Sequence, residues 1–304
     1  MNNSNCSQSN ASDKMLFVTV YSCVVIIGVP TNSLAVLSLY QARHAVRTVP
    51  VYLVNLAVAD LVYGCTLPLW IIYFMKEHQW ELGRAACQLS GFLFFINMYA
   101  SVYFVCCIAV DRYLAIVHPV RWRNIHTAKG AIAISIFGWV FLGVSQMPVF
   151  MSDLTKGQLC IDYYLITKSD AIRIFIMVFL GFVIPTLILT YSYLTSLKAL
   201  KRTVSDVGET LCIRYLLGIA LLLYLLCFGP FNLMLLFFAV NALVNGLCCL
   251  TRSPFFMCYR VTVALTSCSC FIDPLLYIFT CKEVKNRLKL NAIYRCLEWD
   301  WFKR

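Results

Sequence analysis

Two carboxylates stand where lipid or helix packing would surround them. Asp60 lies inside the apolar run NLAVADLVYGCTLPLW, and Asp273 lies inside SCSCFIDPLLY. An ionisable group buried in a membrane is costly and marks a functional site by default. Two carboxylates at similar depth cannot both ionise cheaply, so they share a proton or hold a cation. Na+ is the candidate ion, and no other cofactor is indicated. Asn97, Ser101 and Ser269 add neutral polar atoms and turn the pair into a polar centre. Occupancy of such a centre can bias two helix arrangements. A third acid, Asp111, is followed by Arg112 and Tyr113 in CCIAVDRYLAIVHP, where an apolar run ends. That charge pair is either a boundary mark or a switch. Catalytic chemistry has little to stand on. The chain carries no HExxH, no paired CxxC and no glycine-rich phosphate loop, and its histidines (44, 78, 118 and 126) are scattered. The reading is therefore not an enzyme.

The elements that position these residues are membrane helices. The chain is 61% hydrophobic and only 13% charged, whereas a soluble domain is closer to half apolar and a quarter charged. A soluble enzyme with a very large core would share the composition but not the spacing of the runs. Seven runs are long enough to span a bilayer, near 15–40, 49–75, 85–117, 128–150, 171–200, 211–240 and 255–281. They are helices because lone strands in lipid leave backbone groups unpaired. With the N-terminus outside, 17 Lys and Arg fall on inner segments and eight on the outer side, which the positive-inside rule favours. The net charge of +11 then reflects topology and contact with membrane lipids, with no nucleic-acid footprint.

The polar head holds N-x-S at Asn2, Asn5 and Asn10, as suits a glycosylated outer tail. Most cysteines lie in apolar runs and act as packing residues. Cys6, Cys87, Cys160, Cys248, Cys249 and Cys258 fall at the oxidising outer side, where they can pair. Pro68, Pro148, Pro185, Pro230 and Pro274 interrupt the helices, and each interior proline removes a hydrogen bond and kinks its helix. The domain expectation is an outer tail at 1–14, a seven-transmembrane domain at 15–281, and an amphipathic helix with a cytoplasmic tail at 282–304.

In order along the chain, these marks are Asn32 in GVPTN, Asp60 in NLAVAD, Cys87, DRY at 111–113, Trp139, Pro185 with Tyr193, CFGP at 227–230, and DPLLY at 273–277. The pattern resembles the rhodopsin-like (class A) G-protein-coupled receptors over nearly the whole chain. The resemblance implies an all-α bundle of seven transmembrane helices with a short amphipathic eighth, in the plasma membrane. It implies a heterotrimeric G protein as partner, and an activation switch built from Asp111, Arg112, Tyr113, Tyr193, Phe228, Pro230, Asp273, Pro274 and Tyr277. In the inactive state of such receptors the Arg pairs with its neighbouring Asp, and activation frees it. The resemblance also implies a Cys87–Cys160 disulfide, with Cys6 reaching the third outer loop, Cys249 being the choice there. Cys296 is a palmitoylation candidate.

The subgroup that looks most similar is the proton-sensing and lysophospholipid-responsive receptors. The expected ligand pocket is apolar and aromatic: Trp70, Phe94, Phe95, Met98, Met177, Phe231, Leu235 and Tyr259. Arg173 and Arg260 lie one or two turns below the outer surface, where they either clamp an anionic head or snorkel to the interface. The ligand reading is an anionic lipid, such as a lysophospholipid or oxidised fatty acid. Proton sensing and nucleotide binding are alternatives. Only His78 lies outside, and Leu142 stands where the proton-sensing look-alikes have Glu, so the proton reading rests on Asp60 and Asp273. A transporter or channel is the alternative from another class, yet internal repeats and broken midplane helices are not visible.

Overall fold

The computed structural model describes residues 14–41, 48–151, 155–156, 159–160, 165–202, 207–245, 247–249 and 255–280, with side chains left out at a few positions, chiefly 201–217 and 275–280. Asn2, Asn5, Asn10, Cys6, Cys296 and the 282–304 helix lie outside the described residues. So do the side chains of Tyr277 and Cys249.

Seven long helical segments run through the described chain. They are α1 (Lys14–Tyr40), α2 (Thr48–Met75), α3 (Gly83–Val117), α4 (Ala128–Met151), α5 (Lys168–Leu200), α6 (Val207–Asn245) and α7. The last comprises Phe256–Ser267 and Ser269–Thr280, joined at Cys268. Among the described residues, six spans are long and apolar enough to cross a membrane; α7 is divided at Cys268. The protein is a multi-pass membrane bundle, as expected from the apolar runs. The end with the Cys87–Cys160 disulfide is termed outer and the end with Arg112 inner, after the charge asymmetry.

The bundle is centred on α3. Phe104, Ala100, Leu53, Leu56 and Ala57 are fully buried where α3 meets α2, and α4 and α5 flank its other sides. Small residues set the closest approaches. A Cβ on Gly28 of α1 would meet the carbonyl oxygen of Cys270 in α7 at 3.3 Å. Asn32 uses that proximity, donating from Nδ2 to the Cys270 carbonyl at 2.7 Å. Trp139 of α4 donates from Nε1 to Asn55 Oδ1 of α2 at 2.8 Å. In an apolar medium such bonds fix which helix faces meet.

The helix interruptions follow the prolines only in part. Before Pro68 the chain turns at Cys65–Thr66, and Thr66 Oγ1 donates back to the Tyr63 carbonyl at 2.7 Å. A π turn, Phe179–Val183, stands just ahead of Pro185. A second π turn, Val24–Gly28, precedes Pro30, which the sequence reading did not single out. Pro148, Pro230 and Pro274 remain inside continuous helix. The break in α7 falls at Cys268, ahead of Pro274.

Outside the bundle, two short antiparallel ladders order the outer loops. Thr155–Lys156 (β1) pairs with Leu159–Cys160 (β2), and Leu165–Thr167 (β3) pairs with Leu247–Cys249 (β4). Cys87 at the top of α3 is bonded to Cys160, with their Cα atoms 5.7 Å apart. The expected disulfide is therefore present, and it ties the second outer loop to α3.

Candidate functional site

The polar centre forms where α2, α3 and α7 meet. Asp60 is 2% exposed and Asp273 6%. Asn97 Nδ2 donates to Asp60 Oδ1 at 2.9 Å, and Cys270 Sγ donates to Asn97 Oδ1 at 3.6 Å. Asp273, Ser101 and Ser269 line a void of about 20 Å³ together with Tyr224 and Phe228. That is room for a single water or small cation, which needs roughly 10–15 Å³. Asp60 Oδ2, Asp273 Oδ2 and Ser101 Oγ are buried without a hydrogen-bond partner. Orphaned buried carboxylate oxygens are expensive, and an all-oxygen donor set is what a hard cation takes. The sequence picked these residues; Cys270 and the Tyr63–Ser267 bond (2.9 Å) it missed, because neither residue type stands out in an apolar run.

At the inner end the expected Asp111–Arg112 pair is not formed. Asp111, 8% exposed, turns instead to the short helix Pro119–Ile125 and the residue after it. Its Oδ1 accepts from Trp122 Nε1 at 3.3 Å and from His126 Nδ1 at 3.1 Å. The same His126 nitrogen lies 2.5 Å from Thr48 Oγ1 at the start of α2. Trp122 and His126 are one helical turn apart, and their rings pack at 3.9 Å. Asp111 Oδ2 and Arg112 Nε are each buried without a hydrogen-bond partner, and among the described residues Arg112 makes no ion pair. In place of Arg112, two groups that follow on the inner loop, Trp122 and His126, occupy the carboxylate of Asp111. The i, i+4 spacing of Trp122 and His126 was the signal that could have revealed them.

Other predicted switch residues sit at the helix contacts. Tyr113 reaches His118 Nε2 at 3.3 Å and packs its ring against Tyr191 at 5.7 Å. Tyr193 lies over Gly218 of α6, whose added Cβ would meet the hydroxyl at 3.2 Å. Phe228 is buried beside Tyr224, and Tyr224 donates to the Phe182 carbonyl in the π turn of α5 at 3.1 Å. Pro230 and Pro274 lie within α6 and α7.

The expected ligand-pocket residues are not brought to one cavity. Trp70 packs with Trp80, Tyr73 and Phe74. Phe94 contacts Phe95 and Tyr63. Tyr259 stacks on Phe231, while Met98 and Leu235 belong to the core or pack against it. Arg260 is 3% exposed, with its guanidinium 4.4 Å from the Phe17 ring centroid, 5.3 Å from Phe74 and 5.9 Å from Phe256. Arg173 is elsewhere: it is exposed, bonds Asp170 at 3.2 Å, and with Met177 lines a cavity between α3, α4 and α5. Of the two readings for these arginines, a joint clamp is not formed, because they line different places. α5 turns Arg173 toward the α4 side, and only Arg260 is enclosed by the outer aromatic cluster.

Comparison with known proteins gives a consistent result. Residues 31–277 match the model of the 7 transmembrane receptor (rhodopsin family). Human G-protein coupled receptor 68 is 32% identical over 280 residues, covering 90% of this chain and 76% of that protein. The human uracil nucleotide/cysteinyl leukotriene receptor is 30% identical over 289 residues, covering 93% and 78%. Human G-protein coupled receptor 183 is 30% identical over 284 residues, covering 88% and 78%.

Proposed function

The chain belongs to the rhodopsin family of seven-transmembrane receptors, and from that premise we propose that it answers an extracellular amphipathic anion, of the anionic-lipid class. Members of this family are receptors that act through G proteins, and not enzymes. The observation that carries the ligand reading is Arg260. A guanidinium is permanently charged, and here it is buried near the outer end of α7 among three phenyl rings. Cation and rings together suit a head that is negative and a body that is apolar. A relative named for uracil nucleotides and cysteinyl leukotrienes supports an anionic ligand as well. Because the cation is covered, ligand entry requires Phe17 or Phe256 to swing aside.

The proposed readout is at the plasma membrane, with the N-terminus outside. A ligand shifts α6 and α7, the polar centre holding Asp60 and Asp273 changes its ion or proton occupancy, and Arg112 becomes available to the G protein. Only a ligand that binds the open state better can drive this shift. Asp60, Asp273, Ser101 and Ser269 would hold a Na+ ion in the resting state, and Asn97 keeps Asp60 in place.

The test is second-messenger output (cAMP, inositol phosphate and Rho reporters) in cells expressing the chain. The probes are a lysophosphatidic acid, a cysteinyl leukotriene, uridine diphosphate, and a change of outer pH from about 8 to about 6, the window in which histidine titrates. The expected result is a response to a lipid anion that Arg260→Gln weakens at least tenfold. A response to protons alone, lost in Asp273→Asn, would replace the lipid with a proton as the signal.

A further inference from the structure

The outer ends of α5 and α6 are joined through the backbone of the loops. In the β3–β4 ladder Leu165 pairs with Cys249, Ile166 with Cys248 and Thr167 with Leu247. No linker separates β3 from its helix. Thr167 is the N-cap of α5: its Oγ1 accepts from the Asp170 N–H at 3.3 Å, and the Asp170 carboxylate accepts from the Thr167 N–H at 3.2 Å. On the other side α6 ends at Asn245 and β4 begins at Leu247. Pairing or opening of the ladder is therefore felt at both helix ends.

A two-stranded ladder of three pairs is not stable in water by itself. Among its described side chains only Ile166 is buried, seated with Ala171 of α5, Phe238, Ala239 and Ala242 of α6, and Phe256 of α7. Phe256 is the weakest part of that seat. It opens the Phe256–Ser267 helix, and helix ends fray. It also stands one turn from Arg260, with its ring 5.9 Å from the guanidinium, at the edge of cation–π range. Phe17, by contrast, stacks on Phe74 at 4.5 Å and lies 4.4 Å from the guanidinium. Of the rings around Arg260, Phe256 is the one that yields to an entering anion, and it is the one shared with the seat of Ile166.

We propose that the β3–β4 ladder is a strap that reads occupancy of the Arg260 site. It is paired while Phe256 covers Arg260. When an anion displaces Phe256, Ile166 loses part of its buried seat, the ladder opens, and the outer ends of α5 and α6 are free to part. This role rests on the anionic-ligand reading of Arg260, and the experiment separates the two.

The experiment is hydrogen exchange, read by mass spectrometry, on the full chain in phosphatidylcholine nanodiscs, beside basal nucleotide exchange on purified G proteins. With no added ligand, Phe256→Ala should speed exchange of the 165–167 and 247–249 amides about fivefold, the effect of unseating part of one apolar side chain, and raise basal coupling about threefold. Phe256→Leu, which keeps apolar bulk, should act in the same direction and more weakly; unchanged Cys87–Cys160 pairing certifies that both variants are folded. Lysophosphatidic acid should speed the same amides in the unsubstituted chain and not in Arg260→Gln. Ile166→Cys stands opposite Cys248, at the Cα spacing of an antiparallel pair, which a disulfide can bridge. Copper-phenanthroline oxidation of that variant should hold the ladder shut and lower its basal coupling. Ladder amides that exchange alike in Phe256→Ala and the unsubstituted chain overturn the strap. So does an opened ladder with unchanged coupling, or an oxidised Ile166→Cys variant that couples as well as the untreated one. Opening by lysophosphatidic acid that persists in Arg260→Gln overturns the link to Arg260. A ladder that opens in Phe256→Ala, raises coupling and ignores lysophosphatidic acid supports the strap and overturns the lipid as the signal.

Discussion

Replacing His126 by alanine isolates what holds Asp111. The substitution removes the donor 3.1 Å from Oδ1 and leaves only the longer Trp122 bond, at 3.3 Å. A hydrogen bond to a charged group contributes about 1.5–3 kcal/mol net, and the Trp122 bond that survives argues for the lower end, about 1.5 kcal/mol. The carboxylate then needs another partner. Arg112 is adjacent in sequence, and its Nε is as orphaned as Asp111 Oδ2. Arg112 is therefore drawn into the pair and withheld from the G protein. The expected result is about a tenfold fall in coupling, by the conversion of about 1.4 kcal/mol per decade. The assay is basal and stimulated second-messenger output, normalised to receptor counted at the cell surface. Adding Asp111→Asn to the variant removes the carboxylate that captures Arg112, so coupling should return. Unchanged coupling in His126→Ala, or a double variant as weak as the single one, would refute the reasoning.

Further predictions concern the polar centre and the helix contacts. If the Asp60–Asp273 centre holds Na+, salt at ten times its dissociation constant should add about 1.4 kcal/mol of stability, seen as a higher unfolding midpoint in NaCl than in a bulky organic salt. Ser101→Ala should reduce that difference, and Asp60→Asn should abolish it. Cys87→Ser opens the bond to Cys160, which closes a sequence separation of 73; a loss of about 2–5 kcal/mol is expected, read as a lower midpoint and less surface receptor. Trp139→Phe loses the 2.8 Å bond to Asn55, about 1 kcal/mol. Adding Asn55→Leu should cost less than the sum of the two single changes, because no partner is then left unpaired.

The architecture was legible because lipid allows few solutions. A run long enough to span and apolar enough to insert has to be a helix, so the spans could be placed to within a few residues, and Asp60 and Asp273 advertised themselves by their apolar surroundings. Contacts that depend on rotation about a helix axis were not legible. Arg173 and Arg260 both sit near the outer surface in sequence, yet α5 turns one toward α4 and α7 turns the other against Phe17. Asp111 was read with its chain neighbour because the loop donors, Trp122 and His126, reach it only through the geometry of the Pro119–Ile125 helix.

The most direct measurement is nucleotide exchange on purified heterotrimeric G proteins, one from each Gα class, catalysed by the purified receptor in nanodiscs. It would be made with and without the lipid anion found active in cells. The account predicts exchange on at least one class that rises with the lipid, is lost in Arg112→Ala and needs higher lipid in Arg260→Gln. Exchange that Arg112→Ala leaves intact, or that no lipid anion alters, would contradict it.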